Sequence, residues 1–204
     1  MIIVVDFKMG NIRSVTKILE RLKTEVKISS NPDDIRTADK LIITGVGHFG
    51  KGMENLNKLN LISPLNKKVK KDKTPVLGIC LGMQLFSNFS EEGNVNGLGW
   101  IDATAQKFVH STSQPTLKVP HMGWNSIEIL KDSFLMASIT TGDSFYFAHS
   151  YYVLCRSPKD VLCRTDYGIV FDSAIASDNI YGLQFHPEKS HSQGMKIIDN
   201  FISL

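Results

Sequence analysis

The 204-residue chain predicts an α/β fold: a central mixed, mostly parallel sheet flanked by helices, with an antiparallel β-meander added. Three observations lead there. The runs Ile2–Val5, Leu41–Ile43 and Pro75–Ile79 are apolar at almost every position, the pattern of strands buried on both faces. Between the first two, Ile12, Val15, Ile18, Leu19 and Leu22 fall on one helical face, with Arg13, Lys17, Glu20 and Arg21 between them. From Gly97 onward the composition shifts to β-branched and aromatic residues broken by turn signals, so the second half is strand-rich.

Taken in order, Ile2–Val5 is strand one, and the loop Lys8-Met9-Gly10-Asn11 leads into the amphipathic helix to complete a βα unit. Val26–Ile28 forms a short second strand, and a Pro-Asp-Asp turn with a short helix precedes the third strand at Leu41–Ile43. Thr44-Gly45-Val46-Gly47-His48-Phe49-Gly50 follows as a glycine-rich loop at the carboxyl edge of the sheet. Such a loop lets main-chain N–H groups approach a ligand, although the spacing is not that of a dinucleotide fingerprint and a plain connection would also fit. Met53–Leu61 and Ile62–Lys71 read as helices before the strand Pro75–Ile79. Strands are then expected at 99–103, 104–109, 126–129, 145–148, 151–155, 161–165, 169–176 and 180–185. Ser192–Leu204 closes the chain as a helix with Met195, Ile198, Phe201 and Ile202 on one face.

Composition narrows the function. Hydrophobic residues at 42% and charged residues at 21% describe an ordinary globular chain. A formal charge of +3 is too small for a nucleic-acid binder, and the one dense basic cluster, Lys67 to Lys73, reads as a solvated helix face. Cys80, Cys155 and Cys163 are odd in number, with no CxxC and no His/Cys ligand spacing, so neither a disulfide framework nor a metal site is expected. A reducing compartment fits. The N-terminal apolar run has no charged leader and is too short for a signal sequence or membrane span, so a cytoplasmic protein without membrane contact is expected. With no linker, repeat or low-complexity segment, residues 1–204 are read as one domain.

The chemistry centres on Pro75-Val76-Leu77-Gly78-Ile79-Cys80-Leu81-Gly82-Met83-Gln84. An apolar strand ending in Gly-Ile-Cys-Leu-Gly with a helix at once resembles a nucleophile elbow, in which glycines permit a sharp turn and the nucleophile stands at its tip. Taken alone the stretch fits a buried cysteine beside a chance glycine pair equally well. A thiol nucleophile needs a base oriented by a carboxylate, and His186-Pro187-Glu188 at the end of a strand offers both; an extended backbone would point the two side chains the same way. A solvent-exposed turn is the plain alternative. His149 and His121 have aromatic and apolar neighbours and read as half-buried, hydrogen-bonded histidines, whereas His110 and His191 read as surface residues.

The elbow together with Gln-Phe-His-Pro-Glu resembles the triad (class I) glutamine amidotransferase family. Val-Pro-His-Met-Gly-Trp-Asn, Phe-Ala-His-Ser-Tyr, Gly-Val-Gly-His-Phe-Gly and His-Pro-Glu-Lys-Ser are similar to the branch of glutaminase subunits that serve imidazole glycerol phosphate synthases of histidine biosynthesis. The resemblance spans nearly the whole chain. It implies a cofactor-independent glutaminase in which Cys80 attacks L-glutamine, His186 moves protons and Glu188 orients His186. The N–H groups of Val46 and Leu81 would form the oxyanion hole, and Gly47, Gln84, Glu92, Ser150 and Tyr151 would contact glutamine. Asn11, Tyr146 and Lys189 would face a (β/α)8 cyclase/synthase subunit in a heterodimer, which takes the ammonia through a tunnel, and the loop around Val46 would align only when that partner holds its ligand. The sequence departs from the family at Phe7-Lys8, at Thr44, where proline is usual, and at His191-Ser192. These positions bear on the partner more than on the chemistry. Supply of ammonia to an N-acetyl sugar amidotransferase, or a cysteine hydrolase on the same elbow, are the alternatives.

Overall fold

The computed structural model describes residues 1–109 and 118–204; the surface position expected of His110 lies outside them. The elements run β1 (Ile2–Val5), α1 (Ile12–Arg21), β2 (Val26–Ser29), α2 (Pro32–Thr37), β3 (Lys40–Gly45), α3 (Phe49–Lys58), α4 (Ile62–Asn66), β4 (Val76–Cys80), α5 (Leu81–Gln84), β5 (Phe89–Ser90), β6 (Val95–Asn96) and β7 (Ala103–Lys107). They continue with β8 (His121–Ser126), β9 (Glu128–Ile129), β10 (Ser144–His149), β11 (Tyr151–Cys155), β12 (Val161–Asp166), β13 (Val170–Ser177), β14 (Ile180–Leu183) and α6 (His191–Ser203).

Eight strands form the main sheet in the order β2-β1-β3-β4-β14-β13-β12-β9. The first five are parallel and the last three antiparallel, which is the mixed sheet the sequence predicts. The remaining strands form a two-stranded sheet, β10-β8, and a four-stranded one, β11-β7-β5-β6. Side-chain alternation along the parallel strands divides the core. Ile2, Val4, Ile42, Leu77 and Ile79 face one way and pack with Val15, Ile18 and Leu19 of α1 and Ile197, Ile198 and Phe201 of α6. Ile3, Val5, Leu41, Ile43 and Val76 face the other way, against Ile35, Leu56, Leu65 and Phe86. Each buried Leu, Ile or Phe contributes about 1.5–3 kcal/mol relative to exposure, so both faces hold the sheet between helices.

Local differences from the sequence reading have identifiable causes. The short helix starts at Pro32 itself: proline fits a first helical position, and Asn31 caps the turn by accepting the Asp33 N–H at 2.9 Å. Helix α3 starts at Phe49 rather than Met53, because Gly50 and Gly52 mask the helical pattern; a Cβ on Gly52 would make a tight 3.3 Å contact with the Leu85 side chain. Residues 99–102 are not a strand, and Ala103 opens β7. Trp100 and Ile101 donate their N–H groups to Phe86 O, and the Trp100 ring packs 4.9 Å from Phe86, so these apolar residues reach the core from a bend. A strand at His121–Ser126 precedes the expected one at 126–129, its glycine and asparagine having given it the composition of a loop. In the basic cluster Val69 is buried, while Lys67 pairs with Asp72 and Lys73 with Asp178 at the surface. Among the described residues no helix is long and apolar enough to cross a membrane.

Candidate active site

Topology brings the candidate residues together. Strands β3, β4 and β14 are parallel neighbours, with Gly45 opposite Cys80 and Leu183 opposite Ile79, so the segments leaving their carboxyl ends converge at one edge. Cys80 ends β4 with φ 53° and ψ −110°, a conformation that a non-glycine residue holds only when its surroundings enforce it. The elbow glycines act differently from the sequence expectation. The positive φ belongs to Cys80, and the glycines are required by contact: a Cβ on Gly82 would lie 1.8 Å from Ile43 O, and one on Gly78 would lie 2.7 Å from Met83 N. Helix α5 is a single turn, Leu81–Gln84, so few peptide dipoles add behind the thiol. As its first residue, Leu81 has no carbonyl partner for its N–H within the helix.

His186 and Glu188 stand beside this turn with fully buried side chains, and His186 Nδ1 donates to Glu188 Oε1 at 2.7 Å. The backbone does not stay extended through the proline; Pro187–Lys189 is a 3-10 turn, and the turn itself brings the carboxylate to the ring. The His186 N–H donates to Tyr146 O at 2.8 Å, and Ser190 Oγ ties His186 O to the Tyr146 N–H. His186 Nε2 is buried without a hydrogen-bond partner. Burial opposes charge on the ring, but Cys80 and Glu188 outweigh it and push the His186 pKa up to about 10. Since Nε2 closes no hydrogen bond of normal geometry, the effect of Cys80 is one of proximity and charge. The charged ring is the form of His186 that this site favours.

A pocket of about 360 Å³ opens over Cys80 and includes all five expected glutamine contacts: Gly47, Gln84, Glu92, Ser150 and Tyr151. Val46, His48, Leu81, Pro120, Met122, Ala148 and His149 complete it, and the size suits a small polar molecule. Glu92 Oε2 already accepts the Phe49 N–H at 2.7 Å, which fixes its carboxylate. Gln84 is 4% exposed, and its Nε2 donates to Tyr151 O at 2.9 Å and to Gln184 Oε1 at 3.0 Å. The Val46 N–H is turned away from the pocket and donates to Met9 O at 2.9 Å, so the donor pair expected at Val46 and Leu81 is not assembled in this conformation. Thr44, next to last in β3, is fully buried with its hydroxyl unpartnered.

The three candidate partner residues do not line the pocket. Lys189 Nζ sits 5.3 Å over the Tyr146 ring, and Trp124, 48% exposed, stacks on His191. Asn11 does more than expected, because its Nδ2 hydrogen-bonds Glu188 Oε1, the oxygen that also holds His186. His121 and His149 are buried and hydrogen-bonded to each other at 3.0 Å, and burial lowers their pKa values to about 4 and about 3. Burial raises both Cys155 and Cys163, which removes them as reactive thiols. Among the described residues no group of three His, Cys, Asp or Glu could hold a metal ion. Sequence reasoning missed Gln184, whose amide reaches Cys80 Sγ; its place two residues before His186 on an extended run was the available signal.

A parallel sheet carrying a strained cysteine, a buried histidine and a carboxylate at its carboxyl edge is the arrangement of thiol-dependent acyl-transfer enzymes. The model of the glutamine amidotransferase class-I family matches residues 3–204, and the chain belongs to that family. It is 48% identical over 202 residues to imidazole glycerol phosphate synthase subunit HisH 2 of Methanococcus maripaludis, covering 99% of this chain and 98% of the relative. It is 43% identical to subunit HisH 2 of Pseudomonas aeruginosa, with both chains covered in full. Among solved structures, a putative GMP synthase component from Thermoplasma acidophilum superimposes with a TM-score of 0.74 at 19% identity, over 99% of this chain and 92% of that one. A further structure, described as a glutamine amidotransferase, gives 0.75 at 15% identity over 98% and 97%; both show the shared fold.

Proposed function

We propose that this chain is the glutaminase subunit of an imidazole glycerol phosphate synthase, acting as one cytoplasmic domain over residues 1–204. The observation that carries the chemistry is Cys80 lining the pocket with the buried His186–Glu188 pair acting on it from outside the lining. The Cys80 thiolate attacks the carboxamide carbon of L-glutamine, and its carbonyl oxygen becomes an oxyanion that accepts the Leu81 N–H. His186, held by Glu188, gives its Nε2 proton to the departing nitrogen, releasing ammonia and leaving a thioester. Neutral His186 then takes a proton from water as the oxygen attacks; the carbon–sulfur bond breaks, glutamate leaves and the thiolate returns. Proton transfer of this kind contributes about 10² to 10⁴ in rate.

The second oxyanion donor is the Val46 N–H, and it reaches the substrate only after its hydrogen bond to Met9 O is broken and the peptide turns. Gly47, at φ 119°, gives the hinge. Met9 shares its loop with Asn11, so a (β/α)8 cyclase subunit docking on Asn11, Tyr146 and Lys189 would act on the oxyanion donor and the triad carboxylate together. One missing oxyanion donor costs about 3 kcal/mol, roughly a hundredfold in rate, which sets the expected partner activation. The test measures ammonia release with and without a ligand-loaded cyclase subunit. Low basal activity that rises about a hundredfold is expected; a high rate indifferent to every partner would refute the gate, and full activity in Cys80→Ala would refute the nucleophile.

A second reading concerns only the acceptor. Two of the relatives above carry an ordinal in their names, so subunits so named are numbered in those organisms. Ammonia supply to an N-acetyl sugar amidotransferase is the alternative, and the partner captured by the intact chain from native lysate decides between them.

A further inference from the structure

The hydrogen bonds around Cys80 form a chain whose directions are fixed by chemistry, and it ends on the sulfur. Tyr151 O is a carbonyl and can only accept. It lies 2.7 Å from His149 Nδ1 and 2.9 Å from the Gln84 amide, so His149 carries its proton on Nδ1 and Gln84 must present its nitrogen. With Nδ1 protonated in a neutral ring, His149 Nε2 accepts, and it accepts from His121 Nδ1 at 3.0 Å. His121 Nε2 is then an acceptor too, and Asn125 Nδ2 faces it at 3.4 Å. The other proton of Gln84 Nε2 goes to Gln184 Oε1 at 3.0 Å. That contact leaves Gln184 one orientation: its Nε2 must face Cys80 Sγ, at 3.7 Å, within reach for the large sulfur atom.

We propose that Gln184 is a catalytic residue that donates an N–H to the Cys80 thiolate, and that Gln84, its own amide fixed by the Tyr151 carbonyl, is the positioning residue that holds Gln184 in the donating orientation. The proposal rests on Cys80 being the nucleophile and adds how its charged form is held. Register supports it, since Leu183 stands opposite Ile79 and the next residues along the two parallel strands are Gln184 and Cys80. Gln184 is fully buried, so no water competes for its N–H. Ala148 O, 4.0 Å from the sulfur, can accept from a thiol but offers a thiolate nothing. Gln184 therefore favours the charged sulfur and Ala148 the neutral one. The ionisable groups facing this site are His186, the pocket residues His48, His149, Tyr151 and Glu92, and Glu188 behind His186; a change at Gln184 leaves all of them in place.

The test follows alkylation of Cys80 by iodoacetamide against pH in the full chain, with the labelled peptide identified by mass. Gln184→Met keeps the length of the side chain and removes the donor. The pH of half-maximal reactivity is expected to rise by about one unit, tenfold less thiolate at a given pH, and the melting temperature to fall by a few degrees because one N–H of buried Gln84 loses its acceptor. A Gln184→Met profile superimposed on the parent overturns the proposal, and with Cys80→Ala inactive it does so without touching the nucleophile assignment. Should the variant not fold, the parent supplies the measurement. The Gln184 side-chain N–H proton resonance is expected to titrate with the same midpoint as Cys80 alkylation and to lose that titration once Cys80 is alkylated; an invariant resonance overturns the proposal.

Discussion

Glu188→Gln is the most informative single change, because the buried ion pair affects both stability and rate. Against the opposing effect of burial, the charge of nearby Cys80 and the hydrogen bond and charge of Glu188 stabilise the His186 imidazolium, and its pKa is raised from 6.5 to about 10. Glutamine of the same shape keeps an acceptor for Nδ1 and removes the charge. A hydrogen bond to a charged group contributes about 1.5–3 kcal/mol, equivalent to one to two pKa units, so the variant lowers His186 by about that much. A raised pKa gives stability that is complete below 6.5 and lost as pH rises through about 10. The deficit of the variant is thus widest near pH 6 and closes towards pH 10. For a chain of this length each kcal/mol moves the melting temperature about 2–4 °C, which predicts a loss of roughly 4–10 °C at pH 6. Ammonia release from glutamine should fall by about 10² or more, since the proton given to the leaving nitrogen is no longer held in place. Calorimetry and a coupled glutamate assay over pH 5.5–9.5 read both effects. Equal melting temperatures at pH 6, or a rate within threefold of the parent, would refute the reasoning.

Three other substitutions probe named contacts. Cys80→Gly relieves a side chain held at φ 53° and should stabilise the chain by about 1 kcal/mol while abolishing ammonia release, checked by denaturant unfolding and activity together. Asn11→Gly keeps the left-handed backbone at φ 60° and removes the donor to Glu188 Oε1; it should lower kcat several-fold with little change in KM, because the contact is to the triad and not to the pocket. His121 and His149 are held neutral with pKa values lowered to about 4 and about 3. The unfolded chain binds more protons than the folded one as pH falls below 6.5, so stability should drop steadily from pH 6.5 to about 4. His121→Phe, which keeps the stacking on Tyr167 and Phe147, should flatten that dependence in acid unfolding curves.

The parallel half of the sheet was legible because burial on both faces leaves a continuous apolar signature, as in Ile2–Val5 and Leu41–Ile43, and α1 was legible from its helical stripe. Cys80, His186 and Glu188 stood out because few residue types do this chemistry and each closes a strand or follows one. What was hidden has common causes. Residues 99–102 look like a strand because apolar residues satisfy the core equally from a bend, and β8 was missed but for its last residue because Gly123 and Asn125 carry loop composition. The role of the elbow glycines was hidden since sequence shows a glycine but not what its missing Cβ avoids; Ile43 O comes from another strand. Gln184, the Asn11 contact to Glu188 and the Val46 contact to Met9 depend on tertiary register, which no local pattern encodes.

The adjacency of β4 and β14 also sets when the enzyme can switch on. Cys80 and its hydrogen-bond partner Gln184 are 104 positions apart in the chain, and the strands bearing them meet only after everything between has been synthesised. A chain emerging from the ribosome therefore carries its thiol long before His186 has been added. Pairing across so long a separation is slow and comes late in folding. Glutamine cleavage is thus confined to finished molecules, and unfinished ones release no ammonia.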